Sequence, residues 1–220
     1  MSFIQFAPPL AQSETGLEKK KRALKVVKFL KNKFPDAKIA LKYANPIQLL
    51  VAVILSAQCT DKKVNEVTAN IFKKYKTAKN FAGLTQGQLE KMIHSCGFYR
   101  NKAKNILAAC KIIQSKFNGR LPQTMKEILT LPGVARKTAN VVLGNAYGVV
   151  EGIAVDTHMI RLNQKLGFSG QTDPVKIERD LMGLIPKKEW FNYTYRIINY
   201  GRNVCPARHK KCECEIYKIR

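Results

Sequence analysis

The stretch 131–139 (LPGVARKTA) combines a turn signal with a basic residue that could act as a nucleophile. Pro132 and Gly133 are typical of a tight turn, and the apolar spacing of 135–147 predicts a helix directly after it. Such a helix presents backbone N–H groups and a partial positive charge at its start, which together bind phosphate without reading base sequence. An ordinary helix–turn–helix connection without a ligand is the alternative.

Lys137 lies in the first turn of this predicted helix. The positive end of the helix dipole disfavours a second positive charge there, and so favours the free amine that a lysine nucleophile requires. The chain contains 39 lysines and arginines, most of which need only be solvated. Lys137 therefore requires a partner before a catalytic role can be assigned to it.

Asp156 is the candidate partner, because a short apolar run ends at this acid just before another predicted helix. An aspartate in that place is commonly an N-cap, and the same carboxylate could also stabilise positive charge that develops in a reaction. The two roles are compatible. His158, two residues later, is interpreted as a structural or phosphate-contacting group.

Gln58 and Phe98 lie in two further polar or glycine-containing breaks between predicted helices. The Gln58 amide has a donor and an acceptor suited to base edges, and an exposed Phe98 could wedge into a base stack. The alternatives are a satisfied loop amide for Gln58 and a core aromatic for Phe98.

Apolar periodicity and turn signals predict an all-α protein without a fixed internal repeat. The only strand-like segment is 149–155, and residues 1–15 are expected to form a loose tail. The predicted helices are 16–34, 46–56, 61–74, 77–82, 86–94, 101–117, 124–130, 135–147, 157–166, 174–184 and 188–200.

The composition limits both the class of protein and the kind of binding partner. The 220 residues are 45% hydrophobic, which is enough for a core, and carry a formal net charge of +24. That charge predicts a polyanionic partner, with a compositional bias of the source genome as the alternative. The longest apolar run, 47–57, is too short to span a membrane, and the N-terminus lacks a signal-peptide pattern. We expect a cytoplasmic, unexported protein.

The six cysteines are unevenly distributed. Cys59, Cys96 and Cys110 stand singly in helical patterns and are interpreted as buried thiols, as expected in a reducing compartment. Cys205, Cys212 and Cys214 crowd the end of the chain and form a candidate metal site.

Four of these segments, in their order and spacing, resemble the endonuclease III family of helix-hairpin-helix DNA glycosylases. The motifs are Ser56-Ala57-Gln58-x-Thr60-Asp61, Gly97-Phe98-Tyr99-x-x-Lys102-Ala103, the stretch 131–139, and Val155-Asp156-Thr157-His158. The resemblance covers nearly the whole chain from Gly16. It implies a two-lobed α-helical fold with DNA in a cleft between the lobes, one lobe being 40–150 and the other 16–39 plus 151–220.

The resemblance also implies a reaction: removal of an oxidised pyrimidine from DNA, then strand cleavage by β-elimination at the abasic site. It makes Lys137 the nucleophile that forms a Schiff base and Asp156 the catalytic carboxylate. Gln58 and Phe98 are then expected to fill the gap left by the flipped nucleotide. The remaining expected DNA contacts are Gly133, Ala135, Arg136 and His158.

The chain departs from the family pattern at two places. Ala135 replaces a second hairpin glycine, which would cost about 1 kcal/mol if the position required a positive φ; we expect Ala135 simply to start the helix. The family's iron–sulfur cluster uses four cysteines separated by six, two and five residues. Here Cys214 follows Cys212 after one residue and the fourth cysteine is missing.

Three interpretations of the cysteine trio stay open: a 4Fe-4S cluster with an outside ligand, a zinc ion completed by His209, and no metal. We expect the glycosylase chemistry to require no cofactor. The expected partner is double-stranded DNA with damaged bases or abasic sites, bound by a monomer associated with the nucleoid. The competing functions are a glycosylase of the same superfamily for 8-oxoguanine or mismatched bases, and a non-enzymatic helix-hairpin-helix DNA-binding protein.

Overall fold

The computed structural model describes residues 14–208 and 214–220. All regular structure in these ranges is helical, which confirms the all-α prediction. The α-helices are α1 (Gly16–Lys33), α2 (Pro46–Leu55), α3 (Asp61–Lys74), α4 (Ala78–Ala82), α5 (Gln86–Ile93), α6 (Tyr99–Lys116), α7 (Met125–Ile128), α8 (Arg136–Tyr147), α9 (Thr157–Lys165), α10 (Pro174–Leu184) and α11 (Trp190–Asn203). Two short 3-10 helices cover Lys187–Glu189 and Glu215–Lys218.

Local side chains explain where most helices begin. The side chains of Thr15, Asn45, Thr60, Thr77, Thr85, Thr124, Asp156 and Asp173 each accept a hydrogen bond from a backbone N–H in the first turn of the following helix. The helices α6, α8 and α11 begin without a side-chain cap. Two of these three uncapped helices, α6 and α8, begin at the predicted DNA contacts Phe98 and Ala135.

The chain divides into two compact units, one of residues 39–151 and one formed by the residues up to Lys38 together with Gly152–Arg220. The predicted lobes had boundaries at 39/40 and 150/151. In the unit 39–151, α2 is buried on nearly all sides and packs against α3, α6 and α8. A helix that is apolar all round needs neighbours on every face, so α2 forms the centre of this unit.

The other unit is built on α1, which packs against α10 and α11, and on α9, which packs against α11. The apolar face of α1 contributes Ala23, Val26, Val27 and Leu30 to a core that also contains the fully buried rings of Tyr193 and Tyr200. The lysines of α1 lie on its opposite, exposed side. This pattern follows directly from the amphipathic spacing of the sequence.

The strand-like segment 149–155 forms no strand, in agreement with the all-α prediction, because a single short extended segment has no partner strand; Ile153, Ala154 and Val155 are instead buried as irregular chain. The predicted tail, 1–15, lies outside the described residues except for Glu14 and Thr15. Both are attached to α1, Thr15 as its N-cap and Glu14 through an ion pair at 2.7 Å with Arg22.

In the part of the chain that the structure describes, no helix is both long and apolar enough to cross a bilayer.

Candidate functional site

The connection between α7 and α8 is a hairpin whose tight turn depends on Gly133. The N–H of Val134 donates to the carbonyl of Leu131 at 3.1 Å, and Gly133 has φ +78°. A proline followed by a glycine at positive φ is typical of a type II turn. A Cβ atom at 133 would lie 2.9 Å from Cβ of Asn105 on α6, so glycine is required both by the backbone and by a close neighbour.

Ala135 is the N-cap of α8, with φ −87° in the extended region, and the helix begins at Arg136. The position therefore does not require a positive φ, and the alanine carries no backbone strain there. The Ala135 side chain offers no hydrogen-bond acceptor to the first turn of α8, in contrast to the threonine and aspartate caps elsewhere. Lys137 is the second residue of α8 and is half-buried.

Gln58 and Phe98 share an unusual backbone conformation and lie in adjoining turns. Both have left-handed φ values, 51° and 56°, which are uncommon for residues other than glycine, asparagine and aspartate. A Cβ atom on Gly97 would lie 3.8 Å from the carbonyl oxygen of Gln58, so the two turns are neighbours. Both side chains are exposed, Phe98 by 65%. The interpretation of Phe98 as a core aromatic is thus wrong.

Helix α6 connects these turns to the hairpin. Phe98 is its N-cap, and the Phe98 carbonyl accepts a hydrogen bond from the N–H of Lys102 at 3.1 Å. Asn105, on the next turn of the helix, contacts Gly133. One helix therefore fixes the spacing between Phe98 and the α7–α8 hairpin. Nothing in the sequence marks Asn105, because its importance comes from a contact between distant segments.

Asp156 lies in the other unit and is the N-cap of α9. Its Oδ1 accepts a hydrogen bond of 2.8 Å from the N–H of Met159, and the residue is half-buried. The segment that leads to it is held by α11, since the Thr194 hydroxyl donates to the Ala154 carbonyl at 3.3 Å. The capping role inferred from sequence is confirmed, and hydrogen bonds to α9 and from α11 hold the segment that contains the carboxylate.

His158 is packed tightly against α11. A Cβ atom on Gly201 would lie 2.6 Å from Nδ1 of His158, and this nitrogen has no hydrogen-bond partner among the described residues. Burial lowers the pKa of His158; nearby Arg202 and Arg161 act in the same direction, while Asp156 opposes them. A structural role is therefore evident, and the predicted phosphate contact stays a prediction.

The cysteine trio is only partly described, since Cys212 and His209 lie outside the described residues. Cys205 is fully buried: its carbonyl accepts from Arg161 Nη2 at 2.6 Å, and its Sγ lies 3.4 Å from the hydroxyl of Tyr217. Within 14–208 and 214–220, no group of three or more candidate ligands is arranged to hold a metal.

The donor set does not fit the family's cluster. The cluster needs four cysteine ligands and the terminal segment contains three cysteines, one of which, Cys205, is enclosed by an arginine and a tyrosine. No step of the chemistry below is assigned to a metal.

Comparison with known proteins settles the family. Residues 51–187 match the model of the HhH-GPD superfamily of base excision DNA repair proteins. The chain is 53% identical to endonuclease III of Synechocystis sp. over 199 residues, covering 90% of this chain and 91% of the relative. It is 43% identical to endonuclease III of Bacillus subtilis over 202 residues, covering 89% and 92%. The chain belongs to the endonuclease III family.

Solved structures agree with this assignment. A trapped endonuclease III–DNA covalent intermediate matches with a TM-score of 0.86 at 42% identity, covering 91% of this chain and 94% of that one. A thermostable thymine-DNA glycosylase matches with a TM-score of 0.79 at 20% identity, covering 94% and 97%, which shows a common fold. The predicted helix-hairpin-helix glycosylase fold is confirmed. As a member of this family, the protein is a base-excision repair enzyme, a DNA glycosylase and AP lyase.

Proposed function

We propose that this enzyme removes oxidised pyrimidines from double-stranded DNA and cleaves the strand at the resulting abasic site. The observation that carries the proposal is Lys137 on the first turn of α8, directly after a glycine hairpin, in a chain of the endonuclease III family. A solved family member was trapped as a covalent intermediate with DNA, which is the species that an amine nucleophile forms.

The Lys137 amine forms a bond to the sugar C1′, and the glycosidic bond breaks with its electron pair leaving on the base. Asp156 supplies negative charge that stabilises the positive charge developing on the sugar. The sugar ring then opens to a Schiff base, a proton leaves C2′, and the 3′ phosphate departs by β-elimination. Water finally hydrolyses the Schiff base and restores the lysine.

The DNA contacts are assigned within this proposal by exposure and backbone position. The turn at Gly133 and Ala135 allows a phosphate to approach the backbone closely, and Arg136 adds a positive charge beside it. Gln58 and Phe98 project from adjoining turns and would occupy the space left by a flipped nucleotide. The +24 charge fits a polyanion such as the DNA of the nucleoid, where we place the enzyme as a monomer.

Borohydride trapping tests the nucleophile. Duplexes that carry thymine glycol, 8-oxoguanine or an abasic site are incubated with the enzyme and reduced. We expect a covalent complex with thymine glycol and with the abasic site. Lys137→Ala should abolish trapping while duplex binding is retained. Lys62→Ala is the matched control, because Lys62 is likewise the second residue of a helix and is exposed.

Trapping by Lys137→Ala at the wild-type level would overturn the nucleophile assignment. Preferential trapping on 8-oxoguanine would show that the substrate class is oxidised purines and not oxidised pyrimidines. Binding of every duplex without base release or trapping by the wild type would indicate a DNA-binding protein without this activity.

A further inference from the structure

A cluster of two thiols and one amine lies in the unit 39–151, apart from the residues to which the proposed chemistry is assigned. Cys59 lies in the turn after α2, Cys96 follows α5, and Lys102 is on the first turns of α6. The turns that carry Cys59 and Cys96 adjoin, since a Cβ atom on Gly97 would lie 3.8 Å from the Gln58 carbonyl oxygen, and both thiols lie near enough to the Lys102 amine to influence its pKa. Three separate segments of the chain therefore meet at this cluster.

The members of the cluster differ in exposure. Cys96 is fully buried and Lys102 is 5% exposed, whereas Cys59 is half-buried. The Lys102 Nζ atom has no hydrogen-bond partner among the described residues. A buried ammonium without partners is costly, so burial lowers the pKa of Lys102, and burial raises the pKa of Cys96 to about 11. The amine is thus adapted to accept a proton from a neighbouring thiol.

We propose that Cys59 and Cys96 form a reversible intrachain disulfide when the enzyme meets hydrogen peroxide, with Lys102 as the base that activates the half-buried Cys59 thiol. Cys59 reacts first because peroxide can reach it from solvent. Cys96 is shielded by burial and acts second, as the resolving thiol.

The Cys59 thiol gives its proton to the Lys102 amine, and the thiolate attacks one peroxide oxygen; the O–O bond breaks, Cys59 becomes a sulfenic acid, and the departing hydroxide takes the proton back from Lys102 as water. The Cys96 sulfur then attacks the Cys59 sulfur and expels a second water. The net reaction converts two thiols and one peroxide to one disulfide and two waters.

The disulfide would connect two turns that already adjoin. Gln58 precedes Cys59, and Phe98 is two residues after Cys96, so both left-handed residues lie on the segments that the bond joins. A covalent link removes alternative arrangements of the two turns. Local opening of 56–60 and 96–100 should therefore become rarer in the oxidised enzyme.

Peptide mapping tests the bond directly. Trypsin releases Cys59 in a peptide of residues 43–62 and Cys96 in a peptide of residues 92–100, and each peptide contains a single cysteine. After peroxide treatment of the full chain, we expect these two peptides joined, two hydrogens lighter than their sum, and separated again by dithiothreitol. Hydrogen exchange of the amides in 56–60 and 96–100 should slow several-fold on oxidation.

Two variants and two controls separate the roles. Cys96→Ser should give no joined peptide and should leave a sulfenic acid on Cys59 that dimedone captures. Lys102→Met should form the same disulfide about tenfold more slowly, whereas Lys104→Met, an exposed lysine on the same helix, should not change the rate. Cys110→Ala removes another buried thiol of α6 and should leave the joined peptide intact.

Circular dichroism melting confirms that each variant is folded before oxidation. Absence of the joined peptide in the folded wild type would overturn the disulfide. An unchanged rate in Lys102→Met would overturn the role of the amine, and unchanged hydrogen exchange would overturn the restraint on the turns. None of these readouts depends on base removal or trapping, so failure here is distinct from failure of the proposed function.

Discussion

The imidazole of His158 occupies the space that a side chain at position 201 would need, with Nδ1 only 2.6 Å from where a Cβ atom on Gly201 would lie. This contact fixes α9 against α11 two residues beyond Asp156. It also explains a glycine in the interior of α11, where an alanine would ordinarily favour the helix.

Gly201→Ala should therefore destabilise the enzyme, by about 1–3 kcal/mol in free energy of unfolding, because the imidazole has to move out of its packed position. Gly183→Ala is the control: this helical glycine has nothing within 4 Å of its Cβ position, so the alanine should be neutral or stabilising by about 0.5–1 kcal/mol. Urea unfolding measures both. Adding His158→Ala to Gly201→Ala should recover part of the loss, and a loss that stays unchanged in the double variant would contradict the contact.

The same histidine should make stability depend on pH. Its pKa in the folded protein lies below the ordinary 6.5, so the unfolded chain takes up a proton at a higher pH than the folded chain does. The free energy of unfolding should then decrease as the pH falls through about 6.5 and below. His158→Gln should reduce this slope. Equal slopes for the wild type and the variant, measured by urea unfolding from pH 7.5 to 5.5, would argue against a histidine held neutral by burial.

Gly133→Ala should be more damaging than Gly148→Ala, although both glycines have a positive φ, +78° and +68°. The cost of holding an alanine at a positive φ, about 1 kcal/mol in free energy of unfolding, is common to the two positions. Only at 133 would the new Cβ atom also meet the Asn105 side chain, at 2.9 Å, whereas the position at 148 is open. Unfolding free energies of the two variants give the difference, and equal losses would show that the Asn105 contact is easily relieved.

Asp156→Asn should slow base removal by orders of magnitude while stability changes little. An asparagine can still accept the hydrogen bond from Met159 N–H as the N-cap of α9, but it carries no charge to stabilise a developing cation. Asp173→Asn is the matched control, since Asp173 caps α10 with a hydrogen bond from Lys176 N–H at 2.9 Å and has no assigned role in the reaction. Single-turnover base release on thymine-glycol DNA provides the comparison, and a wild-type rate in Asp156→Asn would leave this residue with a capping role alone.

Aerobically purified enzyme should be active yet carry well under one iron–sulfur cluster per chain. The terminal segment contains three cysteines, whereas the cluster needs four cysteine ligands, and the proposed reaction uses only Lys137 and Asp156. Iron and sulfide analysis, together with visible absorption, measures the content. Four irons per chain, lost together with activity in Cys205→Ala, would show that a fourth ligand exists outside the cysteine trio.

Much of the fold was predictable because the helices carry their own start signals. Helices such as α3 and α10 begin after a threonine or aspartate cap and contain regular apolar spacing, so their predicted bounds, 61–74 and 174–184, match the structure. The start of α6 was predicted two residues late, at 101 instead of Tyr99, because Phe98 caps it through a left-handed backbone and without a side-chain hydrogen bond. No residue type in the sequence marks that conformation.

Contacts between distant segments could not be predicted in the same way. The packing of Asn105 on Gly133, of His158 on Gly201, and of Cys59 on Cys96 each joins residues whose spacing carries no periodic signal. Lys137 and Asp156 were found because a turn or an apolar run precedes each of them. Asn105 and Lys102 stand inside a regular helix and had no such marker.

The division of the chain also fixes an order of events during synthesis. The unit 39–151 is one uninterrupted stretch of chain. All of the helices that pack within it are therefore available as soon as this stretch has left the ribosome. Helix α1 is made before this unit, but the helices on which it packs, α10 and α11, are made after it. Its apolar face therefore stays uncovered while the whole of the unit 39–151 is translated. The unit that contains α1 can complete its core only after α10 and α11 have been made.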